Sequence, residues 1–341
     1  MQLTFLRELV NIDSPSGFTA KADKYILDSL KKLGLKPKTT NKGAVKCCLT
    51  NDKPILGIAA HVDTLGAVVA DIKKDGSLRI SKVGGLSLNG AEGSYCRIYT
   101  IDDKVYTGTL LLDNPAAHTN KELNNAKREV TNMHIRLDEV VNSDKDVELL
   151  GIRNGDFVCV EPHYQELESG FIKSRFMDNK AGCMVLYELA RYYAEREESV
   201  PVELFFSNYE EVGHGGAAGY DPHIKELLVI DMGVVGDGHK GSELACSICA
   251  KDSSGPYDYA MRRSLTQLAI AKEIAHVVDV YPFYSSDGSV ALRAGNDLRV
   301  ALIGPGVSAS HGVERTHQQG IAATVQLCIA YIEWLQKGLE D

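Results

Sequence analysis

Hydrophobic and polar positions change their period along the chain, and each change marks an element. Residues 19–32 place Ala22, Tyr25, Ile26, Ser29, Leu30 and then Leu33 at helical spacing and stop at Gly34, predicting an amphipathic surface helix closed by a glycine cap. Residues 44–49 and 54–60 read as strands. The second is almost wholly apolar, as a strand covered on both faces must be, and it runs straight into His61-Val62-Asp63-Thr64. After Gly66 the period falls to two. Short alternating strands at 68–72, 78–83, 97–101, 105–112 and 157–160 are separated by turns such as Asp75-Gly76, Gly84-Gly85 and Asn154-Gly155, with helical patterning only at 120–132. From Ser174 onward the two periods alternate: helices over 181–195, 257–278, 289–294 and 320–335, strands over 202–207, 226–231, 245–250 and 298–303.

Strands alternating with helices of this length predict an α/β fold: a three-layer sandwich around a mixed, largely parallel sheet. The β-rich stretch reads as a small barrel-like domain, 67–165, inserted into a discontinuous larger domain made of 1–66 and 166–341. A chain of 341 residues is long enough for that division.

Composition narrows the function more than the fold. With 44% hydrophobic and 24% charged residues the chain reads as an ordinary globular protein. Its formal charge of −9 argues against nucleic acid or an anionic membrane as partner. Nowhere do 18 consecutive apolar residues occur, and Arg7 and Glu8 interrupt the amino terminus, so neither a membrane span nor a signal peptide is expected. The eight cysteines are expected to be reduced core thiols of a cytoplasmic protein, and Cys246-Ser247-Ile248-Cys249 reads as strand, not as a zinc knuckle.

The chemistry gathers around Phe205-Phe206-Ser207-Asn208-Tyr209-Glu210-Glu211-Val212-Gly213-His214-Gly215-Gly216, an apolar strand delivering two adjacent carboxylates to a glycine-rich turn. His61 with Asp63, Asp178, Asp231 and His311 share that description, since each follows a strand or sits at a glycine-marked loop where ligands of an open α/β sheet collect. Taken singly, each has a plainer reading: a hydrogen-bonded core histidine, a turn aspartate, a helix cap, a solvated acidic turn. Together, two histidines and several carboxylates form a zinc-type donor set, not an all-oxygen calcium cage. Their number suits two dications at about 3.5–4 Å, bridged by one carboxylate with one more left free as a base.

His61-Val62-Asp63, Met177-Asp178-Asn179-Lys180-Ala181-Gly182, Glu210-Glu211-Val212-Gly213, Ile230-Asp231-Met232-Gly233 and His311-Gly312-Val313-Glu314 resemble, in order and across the whole chain, the motifs of the glutamyl and tetrahedral aminopeptidases, a metallopeptidase family whose members are also labelled endoglucanase. The resemblance implies an aminopeptidase acting on short peptides, with two divalent ions per subunit, zinc or else cobalt or manganese. It implies that Asp178 bridges the ions, that His61 and Asp231 complete one site and Glu211 and His311 the other. Glu210 would be the general base, Asp63 would orient His61, and the peptide bond after Asp178 would be cis and strained. It further implies a homo-oligomer built from dimers, up to a twelve-subunit tetrahedron, with the inserted domain as dimerisation element. His214-Gly215-Gly216-Ala217 and Tyr284-Ser285-Ser286-Asp287-Gly288 depart from the family pattern, and His214, Asp287 and His317 are candidate substrate contacts. Two other functions compete: a glycoside hydrolase, which would use paired carboxylates without metal, and a catalytically inactive metal-binding scaffold, in which Glu210 would have no purpose.

Overall fold

The computed structural model describes residues 2–340. It divides into two compact units, Met1–Asp63 with His163–Asp341, and Thr64–Pro162.

The first unit is built on a 13-stranded mixed sheet. Leu56–His61 lies between Val202–Ser207 and Glu226–Ile230, both parallel to it, and Arg299–Ser308 extends the parallel set. Val45–Cys48 and Cys246–Asp252 flank these strands in antiparallel pairing. Alternation along the parallel strands assigns their side chains to two cores. Ile58, Ala60, Leu204, Phe206, Leu228 and Ile230 pack with Met184, Leu189 and Leu327 from the helices Met177–Arg196 and Gln318–Glu340. Ala59, Phe205, Leu227 and Val229 pack with Tyr257, Tyr281 and Ala291, the last from the helix Asp287–Arg293. Burial of both faces is why these strands read as unbroken apolar runs. The register pairs Ser207 with His61 and Val229 with Ala59, so Leu56–His61, Val202–Ser207 and Glu226–Ile230 end at one edge, while Arg299–Ser308 runs on past Ile303, the partner of Ile230.

The second unit is a closed six-stranded barrel, in order Gly66–Ile72, Leu78–Val83, Met133–Leu137, Val105–Leu112, Tyr95–Tyr99 and Phe157–Val160. Every pairing is antiparallel, and alternate residues such as Val69, Ile80, Ile98, Leu110 and Ile135 are buried.

Several elements differ from expectation. The helix expected over 120–132 is a series of turns, because its asparagines bond to nearby backbone: Asn120 Nδ2 to Asn114 O at 2.8 Å and Asn132 Nδ2 to Lys127 O at 2.7 Å. The helix expected over 257–278 ends early, as Tyr259–Ala271; Glu273 turns left-handed (φ 52°) and the β-branched run behind it becomes the strand His276–Val280. None of the eight cysteines is in a disulfide, but Cys48 is exposed and is not a core thiol. Cys246 and Cys249 lie in a strand, each with its thiol pushed up to about 12 by burial. Among the described residues no helix is long and apolar enough to cross a membrane.

Candidate active site

Five segments bring acids and histidines together: the ends of Leu56–His61, Val202–Ser207 and Glu226–Ile230, the start of the helix Met177–Arg196, and the loop after Arg299–Ser308 that carries His311. Leu56–His61 ends on His61 itself, and Asp231 directly follows Glu226–Ile230. Asp231 N donates to Ile303 O at 3.0 Å, and a Cβ on Gly304 would sit 1.7 Å from Asp231 O, so only glycine lets the neighbouring strand approach. Asp178 precedes the regular part of the helix Met177–Arg196, where the Asp178-Asn179 bond is cis and Asn179 is tied to Ile230 O at 2.8 Å. Beyond Ser207, Tyr209 adopts φ 69° and Glu210–Val212 form a single 3₁₀ turn.

Asp178 stands between two donor groups. Its Oδ1 is 3.2 Å from His61 Nε2, which is also 4.0 Å from Asp231 Oδ1. Its Oδ2 is 3.7 Å from His311 Nε2, which lies 3.9 Å from Glu211 Oε2. In each group, His61 with Asp178 and Asp231, and Asp178 with Glu211 and His311, the donor atoms lie within 4.8 Å of one another. His61 Nδ1 donates to the Asp63 carbonyl at 3.0 Å, which turns Nε2, the nitrogen a metal would take, toward the carboxylates. Glu210 belongs to neither group, although its Oε2 is 3.8 Å from His61 Nε2.

The electrostatics fit cations at these positions. Burial first, and then the charge of Asp178, push Asp231 up to about 8 and Glu211 and Glu314 well above the ordinary carboxylate range. Glu210 is raised by burial, against the opposing effect of His61, with Asp231 adding to the rise. Burial disfavours a charged His61, yet the carboxylates of Asp178 and Asp63 more than offset it and hold the ring well above the usual histidine value. Glu211 Oε1 is buried without a hydrogen-bond partner. Buried acids that repel one another and an oxygen with nothing to bond to are what a nitrogen-and-oxygen site for divalent ions looks like when only protein is considered.

The profile of the M42 glutamyl aminopeptidases matches residues 43–327. The chain belongs to that family.

This M42 chain is 42% identical over 337 residues, 97% of each chain, to the "Putative aminopeptidase YhfE" of Bacillus subtilis. It is 26% identical to the glutamyl aminopeptidase of Lactococcus lactis, over 62% of this chain and 60% of that one. The TET1 peptidase of Pyrococcus horikoshii, described as assembling into a tetrahedron or a large octahedral shell, superimposes with a TM-score of 0.84 at 20% identity, covering 97% of this chain and 98% of that one. Membership makes the protein an aminopeptidase, a hydrolase of peptide bonds.

Other positions singled out in this M42 sequence lie outside the two donor groups. Asp287 is buried and spent on the protein: it accepts from Ser207 Oγ, and from Gly216 N at 2.6 Å. His317 has both ring nitrogens engaged, Nε2 with Ser169 O at 2.9 Å and Nδ1 with Gln319 N at 3.0 Å. His214 is exposed, stacks on Tyr209 with ring centroids 4.9 Å apart, and takes a contact from Lys42 Nζ at 3.2 Å. Sequence reasoning assigns no role to Glu314, yet its carboxylate accepts from Asp178 N at 3.0 Å and from His311 N at 2.9 Å. The signal available was an acid three residues beyond a candidate histidine ligand. Asp63 does more than face His61, for its oxygens accept Glu210 N at 3.1 Å and Glu211 N at 3.2 Å.

Proposed function

We propose that this aminopeptidase works with two divalent metal ions and releases amino-terminal residues from short peptides. The supporting observation is the division of Asp178, whose two oxygens face separate histidine-and-carboxylate groups. His61 and Asp231 would hold one ion, Glu211 and His311 the other, and Asp178 would serve both. Bound there, zinc, cobalt or manganese would acidify a shared water and polarise the scissile carbonyl. The chain supplies the proton traffic. Glu210, outside both donor groups but beside His61, accepts a proton from the attacking water and passes it to the leaving nitrogen. Its buried surroundings raise it toward the basicity that such a task requires at neutral pH. Asp63, through the two amides it accepts, orients the turn that carries this base.

The test is metal removal and return. Turnover of an aminoacyl-anilide panel should vanish after chelation and come back with one of the three metals. Glu210→Gln should lose about 10²–10⁴ in kcat, the span general-base catalysis supplies, with bound metal unchanged. Peptidase turnover that survives metal stripping, or a Glu210→Gln variant as fast as the parent, would remove this mechanism. Hydrolysis of a sugar polymer by the stripped protein would favour the glycosidase.

Homo-oligomerisation, with the barrel unit at the contacts, extends the proposal. It draws on the assembly described for the Pyrococcus horikoshii peptidase and on Tyr95, Ile101, Val140 and Leu149, large apolar side chains 65–96% exposed on the barrel. A cytoplasmic site of action accords with eight cysteines and no disulfide. Light scattering in solution reads the assembly directly, and a monomer at micromolar concentration would end that part of the proposal.

A further inference from the structure

The turn carrying Glu210 cannot hold itself. It consists of one 3₁₀ turn closed by Gly213 N to Glu210 O at 2.7 Å, entered through a left-handed Tyr209. So short a helical piece takes its orientation from outside. Asp63 provides it by accepting the amides of Glu210 and Glu211 on its two oxygens. Asp63 Oδ1 also lies 3.5 Å from His61 Nδ1, but Oδ2 has only the amide of the turn itself, so fixing Oδ2 takes a contact from another element.

That contact comes from the loop between the helices Thr4–Val10 and Ala20–Lys32. Ser16, 6% exposed, donates from Oγ to Asp63 Oδ2 at 2.5 Å, across 47 positions of sequence. The loop is itself anchored two residues earlier. Ser14 Oγ donates to Val62 O at 3.2 Å and accepts from the buried Lys180 Nζ at 2.6 Å. One short segment thus grips residue 62 by its backbone and residue 63 by its side chain.

We propose that Ser16 is a positioning residue for the base, acting on Glu210 through Asp63. The inference rests on the assignment of Glu210 as base. Without the Ser16 hydroxyl, Asp63 Oδ2 keeps only the 3.2 Å amide of Glu211, while Oδ1 stays with Glu210 N at 3.1 Å and His61 Nδ1 at 3.5 Å, so the carboxylate can swing about Oδ1 and take the turn with it. The base then drifts relative to the attacked carbonyl, while the groups that hold the substrate stay where they are. The loss therefore falls on kcat and leaves KM in place, because only the transition state senses the misplacement.

The experiment compares wild type, Ser16→Ala, Ser16→Cys and a remote cavity variant, Leu265→Ala, for kcat, KM, bound metal and thermal midpoint. Ser16→Ala should lose roughly 10- to 100-fold in kcat, the scale of an ångström-sized misplacement, with KM within about twofold and metal content unchanged. Ser16→Cys keeps the size and a weaker donor, and should fall between the two; it also carries the test if the alanine variant does not fold. Leu265→Ala should lose stability and keep its kcat, which separates positioning from general destabilisation. A kcat within about twofold of wild type in Ser16→Ala, or in Ser16→Cys where the alanine variant does not fold, a loss carried by KM, or an equal kcat loss in Leu265→Ala would overturn the role of Ser16. If Glu210→Gln leaves turnover intact, the assignment of the base falls and this inference with it; a slow Glu210→Gln beside fast Ser16 variants removes Ser16 alone.

Discussion

Glu314 shows how much a single side chain can organise here. It is 2% exposed, and its carboxylate takes the backbone amides of Asp178 and His311, so it fixes a candidate bridging ligand and a terminal one without facing either donor atom. His311 is held in this way at φ 64°, a backbone angle non-glycine residues seldom adopt. Replacing Glu314 by alanine leaves the buried amide of Asp178 without an acceptor, at a cost of about 1–3 kcal/mol, and the part-buried amide of His311 as well. Support of this kind is worth roughly 10- to 100-fold in metal affinity. Competition with a chromogenic chelator should show that loss in Glu314→Ala, together with a lower thermal midpoint. Unaltered affinity would mean that His311 and Asp178 do not depend on the acid behind them.

The turn 210–217 is where elements meet, and it is clamped on both sides by aspartates. Asp63 takes its amino-terminal amides, while Asp287, at the start of the helix Asp287–Arg293, takes Gly216 N and Ser207 Oγ. A Cβ on Gly216 would lie 2.3 Å from Asp287 O and 2.7 Å from Asp287 Cβ. Gly216→Ala must push the helix and the turn apart, and should cost about 1–3 kcal/mol of stability and a measurable part of kcat. Gly236→Ala, where a new Cβ meets nothing within 4 Å, is the control and should stay within about 0.5 kcal/mol. Equal thermal midpoints for the two variants would refute the clamp. This region also marks where sequence stops being informative. The parallel strands were legible because burial on both faces leaves apolar runs, and their ends pointed to His61, Glu210, Glu211 and Asp231. Asp287 reads as a substrate contact in sequence and is a clamp in structure, because its partners, Ser207 and Gly216, lie over 70 positions away and no periodicity connects them. Ser16 is hidden in the same way, 47 positions from Asp63. The helix misread over 257–278 failed for a local reason, the left-handed Glu273 ahead of Ile274-Ala275-His276-Val277-Val278.

For the whole molecule, the concentration of buried acids in one unit ties stability to pH and, on the proposed function, to metal. Burial and mutual repulsion raise Asp231 to about 8 and Glu210, Glu211 and Glu314 well above the usual range. With no cation present, the folded protein therefore holds protons that the unfolded chain has released. That contribution to stability is complete only below the unfolded carboxylate values near pH 4, and it is lost as pH rises, through about 8 for Asp231. Divalent ions held by the two donor groups, as proposed, would replace those protons and stabilise the fold by mass action. Chelation should then lower the thermal midpoint by several degrees more at about pH 8 than at about pH 5.5, because at the lower pH protons still neutralise part of the cluster after the metal leaves. Asp231→Asn, which removes one of the repelling charges, should narrow the difference between the two pH values. Scanning calorimetry of the stripped and loaded protein at both pH values measures the effect. A midpoint drop that is the same at both, or larger at the acidic one, would mean that these carboxylates are neutralised by the protein itself and that the site has no need of a cation.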